Sequence, residues 1–391
     1  MKNLILIFIM LAFVNVCFSQ KNEARESINT FSFKLFEQIN VKSDNCFFSP
    51  YSVFGALSMT YAGAKEQTKL DIEKTLGIKN GDSIHSQFKT LTNSIGLNRE
   101  VQFLSSNSIW LQKNFKLEKS YSKQVEENYL AKSKNIDFEN ENDREKARKE
   151  INIWVDKQTK GNIAEFIKPG ILSESTSMVL INAVYFKSMW QTEFLASSTK
   201  EENFLAPTGD SVVCKMMHNV IKTHYYEDEL AQVVEIPYEN NKASLMVILP
   251  KVDKPADLKL FNYQYLEKAS NAFGLKDVQL SLPGFRLDVD YELSDALKKM
   301  GMKSSFDPGA NFSGITGNKD LIISNILHKA IIEVSEKGTE ASATTAVISM
   351  RSTTLPNKGP VIFKADHPFI FIIKDNSTGV FLFMGYMAHP K

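Results

Sequence analysis

The peptide bond with the most distinctive chemistry in this sequence is Arg351-Ser352, at the end of an unusual segment. Residues 336–352 read EKGTEASATTAVISMRS and follow an apolar run, 330–334, that is typical of a strand. Trypsin-like proteases cleave after a basic residue because their specificity pocket holds a carboxylate. The chemistry that this segment offers is therefore that of a protease substrate.

The residues before this bond alternate in a way that suits burial. In an extended chain, residues two apart share a face. One face carries only small or β-branched uncharged side chains, those of Thr339, Ala341, Ala343, Thr345, Val347 and Ser349. The opposite face carries the single charge, Glu340, with Ser342, Thr344, Ala346 and Ile348. We expect such a segment to be a loop in one state and a buried strand in another. Composition alone equally allows a Thr/Ser/Ala-rich surface linker.

Other chemistries have little support in the sequence. It contains no G-x-S-x-G, H-E-x-x-H, P-loop or G-x-G-x-x-G motif. Of its 6 histidines, His218 and His224 lie nearest to each other, without metal-ligand spacing, and are interpreted as surface residues. The net charge of +1 shows no basic excess of the kind that is typical of nucleic-acid binding. We expect no enzyme, no metal or other cofactor, and no nucleic-acid partner.

The N-terminus has the pattern of a secretory signal. Residues 4–14 form an apolar run after a lysine, which is too short for a membrane span. We expect a signal peptide at 1–19 and a secreted mature chain. The alternative is a lipoprotein signal with Cys17 as the lipid anchor, although Val16 is larger than that processing usually accepts. The mature chain would keep two cysteines, too few for a disulfide framework.

Helices and strands alternate along the rest of the chain, which has 391 residues and no linker-like composition or internal repeat. Ser49-Pro50 predicts the start of a buried helix over 51–61, and Thr68 is predicted to cap a helix that ends at Gly77. Other periodic segments predict helices at 26–39 and 145–158. Strands are predicted at 105–111, 177–186, 233–237, 244–249, 278–282, 369–373 and 380–386. This order favours an α+β fold with more than one sheet.

An ordered set of motifs across the chain resembles the serpin family of serine protease inhibitors. The motifs are Phe48-Ser49-Pro50-Tyr51-Ser52, Asn152-Ile153-Trp154-Val155, Asn182-Ala183-Val184-Tyr185-Phe186, Phe306-Asp307-Pro308, His328-Lys329-Ala330, Glu336 to Ala341, Asp366-His367-Pro368-Phe369 and Phe383-Met384-Gly385. The resemblance implies a single domain over 20–391, with three β-sheets, about nine helices and an exposed reactive centre loop at about 336–358. In the family, a protease cleaves this loop and forms an acyl-enzyme. The cut loop then inserts as a new strand of the main sheet and distorts the protease.

The resemblance also assigns roles to particular residues. The hinge, where insertion begins, comprises Glu336, Gly338, Thr339, Glu340, Ala341, Ser342, Ala343 and Thr344. A hydrogen-bonded polar cluster beneath the main sheet comprises Ser49, Ser52, Asn182 and His328. The family's usual span of 17 residues, counted from Glu336, ends at Ser352, and a span one residue shorter ends at Arg351.

We favour Arg351-Ser352 as the reactive bond, which suits a trypsin-like target. Cleavage after Ser352 or Met350 would suit elastase-like or chymotrypsin-like enzymes, and cysteine proteases remain alternative targets. Because the buried face of the hinge carries no charge, an inhibitor is favoured over a non-inhibitory carrier, chaperone or storage protein. The resemblance implies a monomer that can polymerise through its loop and sheet.

One position departs from the family pattern. Several relatives pair the residue at Glu336 with a lysine at the position of Gly284. Arg286 shares a strand face with that position and is the candidate replacement partner for Glu336. An unpaired Glu336 would let the top of the sheet open more readily.

Overall fold

The computed structural model describes residues 22–39, 43–95, 102–252, 258–339 and 359–390. The expected signal peptide with Cys17, the hinge from Glu340 onward and the candidate reactive bond lie outside these residues. Within them are nine α-helices: α1 (Glu23–Ile39), α2 (Pro50–Gly63), α3 (Glu66–Leu76), α4 (Ser83–Ser94), α5 (Lys119–Tyr129), α6 (Glu141–Gln158), α7 (Tyr263–Asn271), α8 (Ser294–Met300) and α9 (Ser313–Thr316).

Fifteen strands are described. They are β1 (Cys46–Phe48), β2 (Gln102–Gln112), β3 (Lys132–Ile136), β4 (Met178–Met189), β5 (Lys200–Leu205), β6 (Ser211–Glu227), β7 (Ala231–Pro237), β8 (Ala243–Pro250), β9 (Gly274–Pro283), β10 (Phe285–Glu292), β11 (Asn325–Ser335), β12 (Gly338–Thr339), β13 (Val361–Lys364), β14 (Phe369–Asp375) and β15 (Phe381–Met387). The mixture of elements confirms the expected α+β class.

The strands form two hydrogen-bonded networks. The main sheet has six strands in the order β10-β11-β12-β4-β2-β3, with an additional pairing between β11 and β4. The larger network has nine strands in the order β1-β15-β14-β8-β7-β6-β9-β13, with β5 beside β6. The long strand β6 pairs with β9 over residues 216–225 and with β7 over residues 224–227. Three sheets were expected, and the described strands form two networks because β6 pairs with β9 through one part of its length and with β7 through another.

Local sequence explains how α2 begins. The Ser49 side chain accepts a hydrogen bond from the backbone N–H of Ser52, and Pro50 occupies the first turn. The helix is buried on nearly all sides, as its apolar sequence predicts. The predicted cap at Thr68 is wrong. Helix α3 begins at Glu66, and the Thr68 hydroxyl instead accepts the N–H of Asn311 at 2.9 Å.

Two apolar cores hold the sheets together. The larger one buries the inner faces of the sheets against α1 and α2, and it includes most of β14 and β15. A smaller core lies between α6 and the main sheet and is formed by residues such as Trp110, Ile151, Val155, Ile181 and Ile331. Helix α6 therefore covers the strands that would have to separate to admit a new one. Among the described residues, no helix has the length and apolarity that crossing a membrane would require.

Candidate functional site

The top of the main sheet is parted by the first residues of the hinge. Strand β12 lies between β11 and β4 and pairs with both in antiparallel fashion. Thr339 lies opposite Val334 on one side and Ser188 on the other. Below β12, residues 325–331 of β11 pair directly and in parallel with residues 179–185 of β4. The sheet is thus open at one end and closed below it.

The environment of Thr339 requires a small uncharged side chain. Thr339 is completely buried, and its hydroxyl lies 2.7 Å from that of Tyr238. The Tyr238 ring stacks on Trp190, with ring centroids 4.5 Å apart and an interplanar angle of 7°. Burial raises the pKa of Tyr238, so this residue remains a neutral phenol. Among the described residues, the hydrogen-bond partner of Thr339 is thus neutral and would not balance a charge at position 339.

Gly338 is required by its backbone conformation and by a close approach. Its φ is +151°, which L-residues with a side chain rarely adopt. A Cβ atom at this position would lie 2.2 Å from the carbonyl oxygen of Ser188. Any other residue would therefore push β12 away from β4.

Backbone hydrogen bonds fix the chain just before β12. The N–H of Trp190 donates to the carbonyl of Lys337 at 3.0 Å, and its indole Nε1–H donates to Ser335 at 2.8 Å. The N–H of Phe194 donates to the carbonyl of Glu336 at 2.8 Å. Trp190 therefore couples the base of the hinge to the end of β4.

The expected ion pair between Arg286 and Glu336 is wrong. The guanidinium of Arg286 pairs with Glu333 at 2.8 Å, because these residues lie directly opposite each other on β10 and β11. Glu336 lies beyond the end of β11, and its carboxylate accepts a hydrogen bond from the Thr199 hydroxyl at 2.9 Å. The hydrogen-bond donor to the Glu336 carboxylate is thus a neutral hydroxyl group.

The structure brings all four predicted members of the polar cluster together. The N–H of Ser49 donates to Nε2 of His328 at 3.1 Å, and the Ser49 hydroxyl donates to the Leu382 carbonyl at 2.6 Å. The side-chain oxygen of Asn182 accepts from Nδ1 of His328, and its NH₂ group donates to the Ser52 hydroxyl. Each buried polar group named here has a partner, as a polar network inside a protein requires.

Two members of the network were not predicted. Asn107 accepts from the NH₂ group of Asn182, and the hydroxyls of Ser105 and Ser52 lie 2.7 Å apart. Both residues belong to β2 and are two positions apart, so they share a face. Polar residues at this spacing inside a predicted strand were the available signal.

His328 is held in its neutral form. It is buried, and burial lowers its pKa to about 3. Since Nε2 accepts from a backbone N–H, the ring proton lies on Nδ1 and points to Asn182. His328 and Asn182 are also register partners of β11 and β4. Separating these strands would break their hydrogen bond.

Comparison with known proteins identifies the family. The sequence profile described as serpin (serine protease inhibitor) matches residues 26–390. The chain is a serpin. This serpin is 38% identical over 376 residues to a serpin-like protein of Thermococcus kodakarensis, covering 95% of this chain and 87% of the relative. It is 35% identical to leukocyte elastase inhibitor A of Mus musculus, covering 94% of this chain and all of the relative (100%).

Solved structures agree with this assignment. Human thyroxine-binding globulin, crystallised with its ligand, is 28% identical and superimposes with a TM-score of 0.85, covering 95% of this serpin and 100% of that chain. Among the described residues, no group of three or more His, Cys, Asp or Glu side chains could hold a metal ion. The site described here is built from strands and hydrogen bonds.

Proposed function

We propose that this serpin is a suicide-substrate inhibitor of serine proteases that acts by inserting its cleaved loop into the main sheet. The observation that carries the proposal is the position of β12 between β11 and β4. The first two residues to enter the sheet are already seated, and the slot continues between the same two strands. Insertion would lengthen β12 downward while β11 and β4 separate.

The sequence beyond β12 supports this direction of insertion. Thr339 faces the interior beside Tyr238, so every second residue after it would meet the same buried face. Those residues are Ala341, Ala343, Thr345, Val347 and Ser349, and none is charged. A charged side chain on that face would cost several kcal/mol unless it were paired.

We further propose that the reactive bond is Arg351-Ser352 and that the target is trypsin-like. Cleavage after Met350 or Ser352 by elastase-like or chymotrypsin-like enzymes, or after Arg351 by cysteine proteases, is the alternative. The test is incubation with trypsin, followed by a denaturing gel and mass spectrometry of the released C-terminal peptide. A covalent band at the summed mass and a peptide beginning at Ser352 are expected. Cleavage elsewhere with a stable complex would move the bond but keep the mechanism.

The second candidate function is a non-inhibitory one. It is favoured by the likeness to thyroxine-binding globulin, whose structure holds thyroxine. Cleavage of the loop without a covalent complex would support this role. Thermal stability gives an independent measurement. An inhibitor whose loop inserts should melt at a distinctly higher temperature after cleavage, because the uncut form is maintained by a kinetic barrier. Equal melting before and after cleavage would contradict insertion.

We also propose that the chain is secreted after removal of residues 1–19, with lipid attachment at Cys17 as the alternative. N-terminal sequencing of the mature protein separates the two. A chain that begins near Gln20 supports secretion, and a lipid-blocked N-terminus at Cys17 supports the anchor.

A further inference from the structure

A serine, a histidine and a carboxylate form a hydrogen-bonded row far from the hinge in sequence. The Ser281 hydroxyl on β9 lies 2.9 Å from Nδ1 of His218 on β6. Nε2 of the same ring lies 2.8 Å from the carboxylate of Glu202 on β5. The sequence pattern predicted His218 as a surface residue, yet both of its ring nitrogens are engaged. This is the connectivity by which a histidine activates a serine hydroxyl.

The neighbouring charges determine how the protons are distributed. The ammonium of Lys364 on β13 lies 2.9 Å from the other oxygen of Glu202. This contact lowers the pKa of Glu202, which is therefore a carboxylate at neutral pH. The carboxylate accepts a hydrogen bond from Nε2–H, so Nδ1 of the neutral ring carries a lone pair that faces the Ser281 hydroxyl. The His218 ring is thus oriented as a general base for Ser281.

The row lies on a sheet face that solvent reaches. Ser281 is the register partner of both His218 and Lys364, so these three side chains share one face. The His218 side chain is 26% exposed, and Ser281 retains 5% of its surface. The His218 ring is therefore reached from outside the sheet, whereas Ser281 is nearly buried, and an ester reaches its hydroxyl only where the covering side chains move aside.

Two exposed apolar side chains, separated by the polar Gln279, lie beside this cluster. Two positions along the strands, Val220 and Ile362 flank Gln279 on the same face. Val220 is 60% exposed and Ile362 is 63% exposed. Exposed apolar side chains next to a nucleophile provide a surface for the hydrocarbon part of an acyl group.

We propose that Ser281 is an acyl acceptor that reacts with activated esters of small apolar acids. Ser281 Oγ attacks the ester carbonyl while its proton moves to Nδ1 of His218, and Glu202 stabilises the imidazolium. Lys364 is the register partner of Ser281, and its ammonium, which pairs with Glu202 and Asp366, would have to turn toward the negative charge that develops on the carbonyl oxygen. The bond to the leaving alkoxide breaks, the alkoxide takes the proton from Nδ1, and an acyl-Ser281 ester remains. Water, deprotonated by the same nitrogen, can later release the acid.

The experiment uses the full chain and p-nitrophenyl acetate as the probe. Release of p-nitrophenolate is followed by absorbance, and the acetylated residue is located by peptide mass spectrometry. Ser281→Ala should abolish acetylation at this position. His218→Gln should slow it on the order of 100-fold, because the general base is lost. Ser211→Ala is the matched control, since Ser211 is an exposed serine on β6 whose register partner is Leu205 of β5.

Each outcome decides the proposal. An acetyl group on Ser281 that disappears in His218→Gln supports it. Acetylation of lysines alone, or labelling of Ser281 at the same rate in His218→Gln, overturns it. If Ser281→Ala does not fold, the labelled position in the unmodified chain and in His218→Gln still gives the answer. The result is independent of protease inhibition, because an Arg351→Glu variant should fail to trap trypsin and still be acetylated at Ser281.

Discussion

Replacing Thr339 with arginine tests whether insertion of the hinge determines inhibition. The native side chain is completely buried, and its hydroxyl lies 2.7 Å from the neutral phenol of Tyr238. A guanidinium in this place would be unpaired, and burying an unpaired charge costs several kcal/mol. If about 3 kcal/mol of this cost is felt in the transition state for insertion, insertion slows roughly 150-fold. The acyl-enzyme would then hydrolyse before the protease is carried away.

The assay is the stoichiometry of inhibition of trypsin, with the covalent complex counted on a denaturing gel. The Thr339→Arg protein should be cleaved as a substrate, with a ratio of hydrolysed to trapped inhibitor that rises on the order of 100-fold. Thr339→Val is the matched control, because it keeps the shape and removes only the hydrogen bond to Tyr238. That bond contributes about 1 kcal/mol, so the valine protein should remain an inhibitor. Unchanged stoichiometry in Thr339→Arg would refute the insertion mechanism.

Three further predictions concern the same sheet. Gly338→Ala should displace β12 from the sheet, because the new Cβ would lie 2.2 Å from the carbonyl oxygen of Ser188. The displacement should change the fluorescence of Trp190, and an unchanged spectrum would contradict this prediction. Asn182→Ala should lower the urea midpoint of unfolding by the equivalent of about 1–3 kcal/mol, because His328 Nδ1–H loses its acceptor; an unaltered midpoint would show that the polar cluster adds no stability. Burial lowers the pKa of His328 from 6.5 to about 3. Between these two pH values, His328 is protonated in the unfolded chain and neutral in the folded chain. The stabilising contribution is therefore complete above pH 6.5 and falls by about 1.4 kcal/mol per pH unit as the pH drops toward 3. Urea titrations at several pH values should show a shallower acid slope for His328→Gln, and parallel slopes would contradict this assignment.

Periodicity and turn chemistry predicted the apolar strands β2, β4, β7, β8, β9, β14 and β15 and the start of α2, but they did not predict other strands, among them the long strand β6. They failed where a distant residue decided the local contact. Thr68 has the right chemistry for a helix cap, but its hydroxyl is taken by Asn311, which lies 243 positions away. Arg286 shares a strand face with Gly284 but pairs with Glu333, because cross-strand register places those two side chains directly opposite each other.

The sequence predicted those features of the candidate site that depend on residue types alone, and not those that depend on contacts between distant residues. The uncharged face of residues 339–349 follows from alternation alone. The contact between Thr339 and Tyr238, 101 positions apart, does not. The polar cluster joins Asn182 to His328 across 146 positions, and only the family resemblance placed these residues together. The sequence did not predict that Gly338 and Thr339 would lie between β11 and β4, because small side chains are compatible with a loop and with a strand.

In the proposed mechanism, both regions of the site would contribute to the resistance to insertion. At the top of the sheet, β12 already lies between β11 and β4, so these two strands need not separate further there for insertion to begin. Below it, seven register pairs between β11 and β4 remain closed, and they include the hydrogen bond between His328 and Asn182. Helix α6 packs over these same strands through Ile151 and Val155. Changes at Thr339 or Gly338 should therefore alter only how insertion begins. Changes in the polar cluster should also make the uncut sheet easier to open, which favours insertion of a loop from another molecule. In the proposed mechanism, substitutions at the top would therefore affect the start of insertion alone, whereas substitutions in the polar cluster would affect both inhibition and polymerisation.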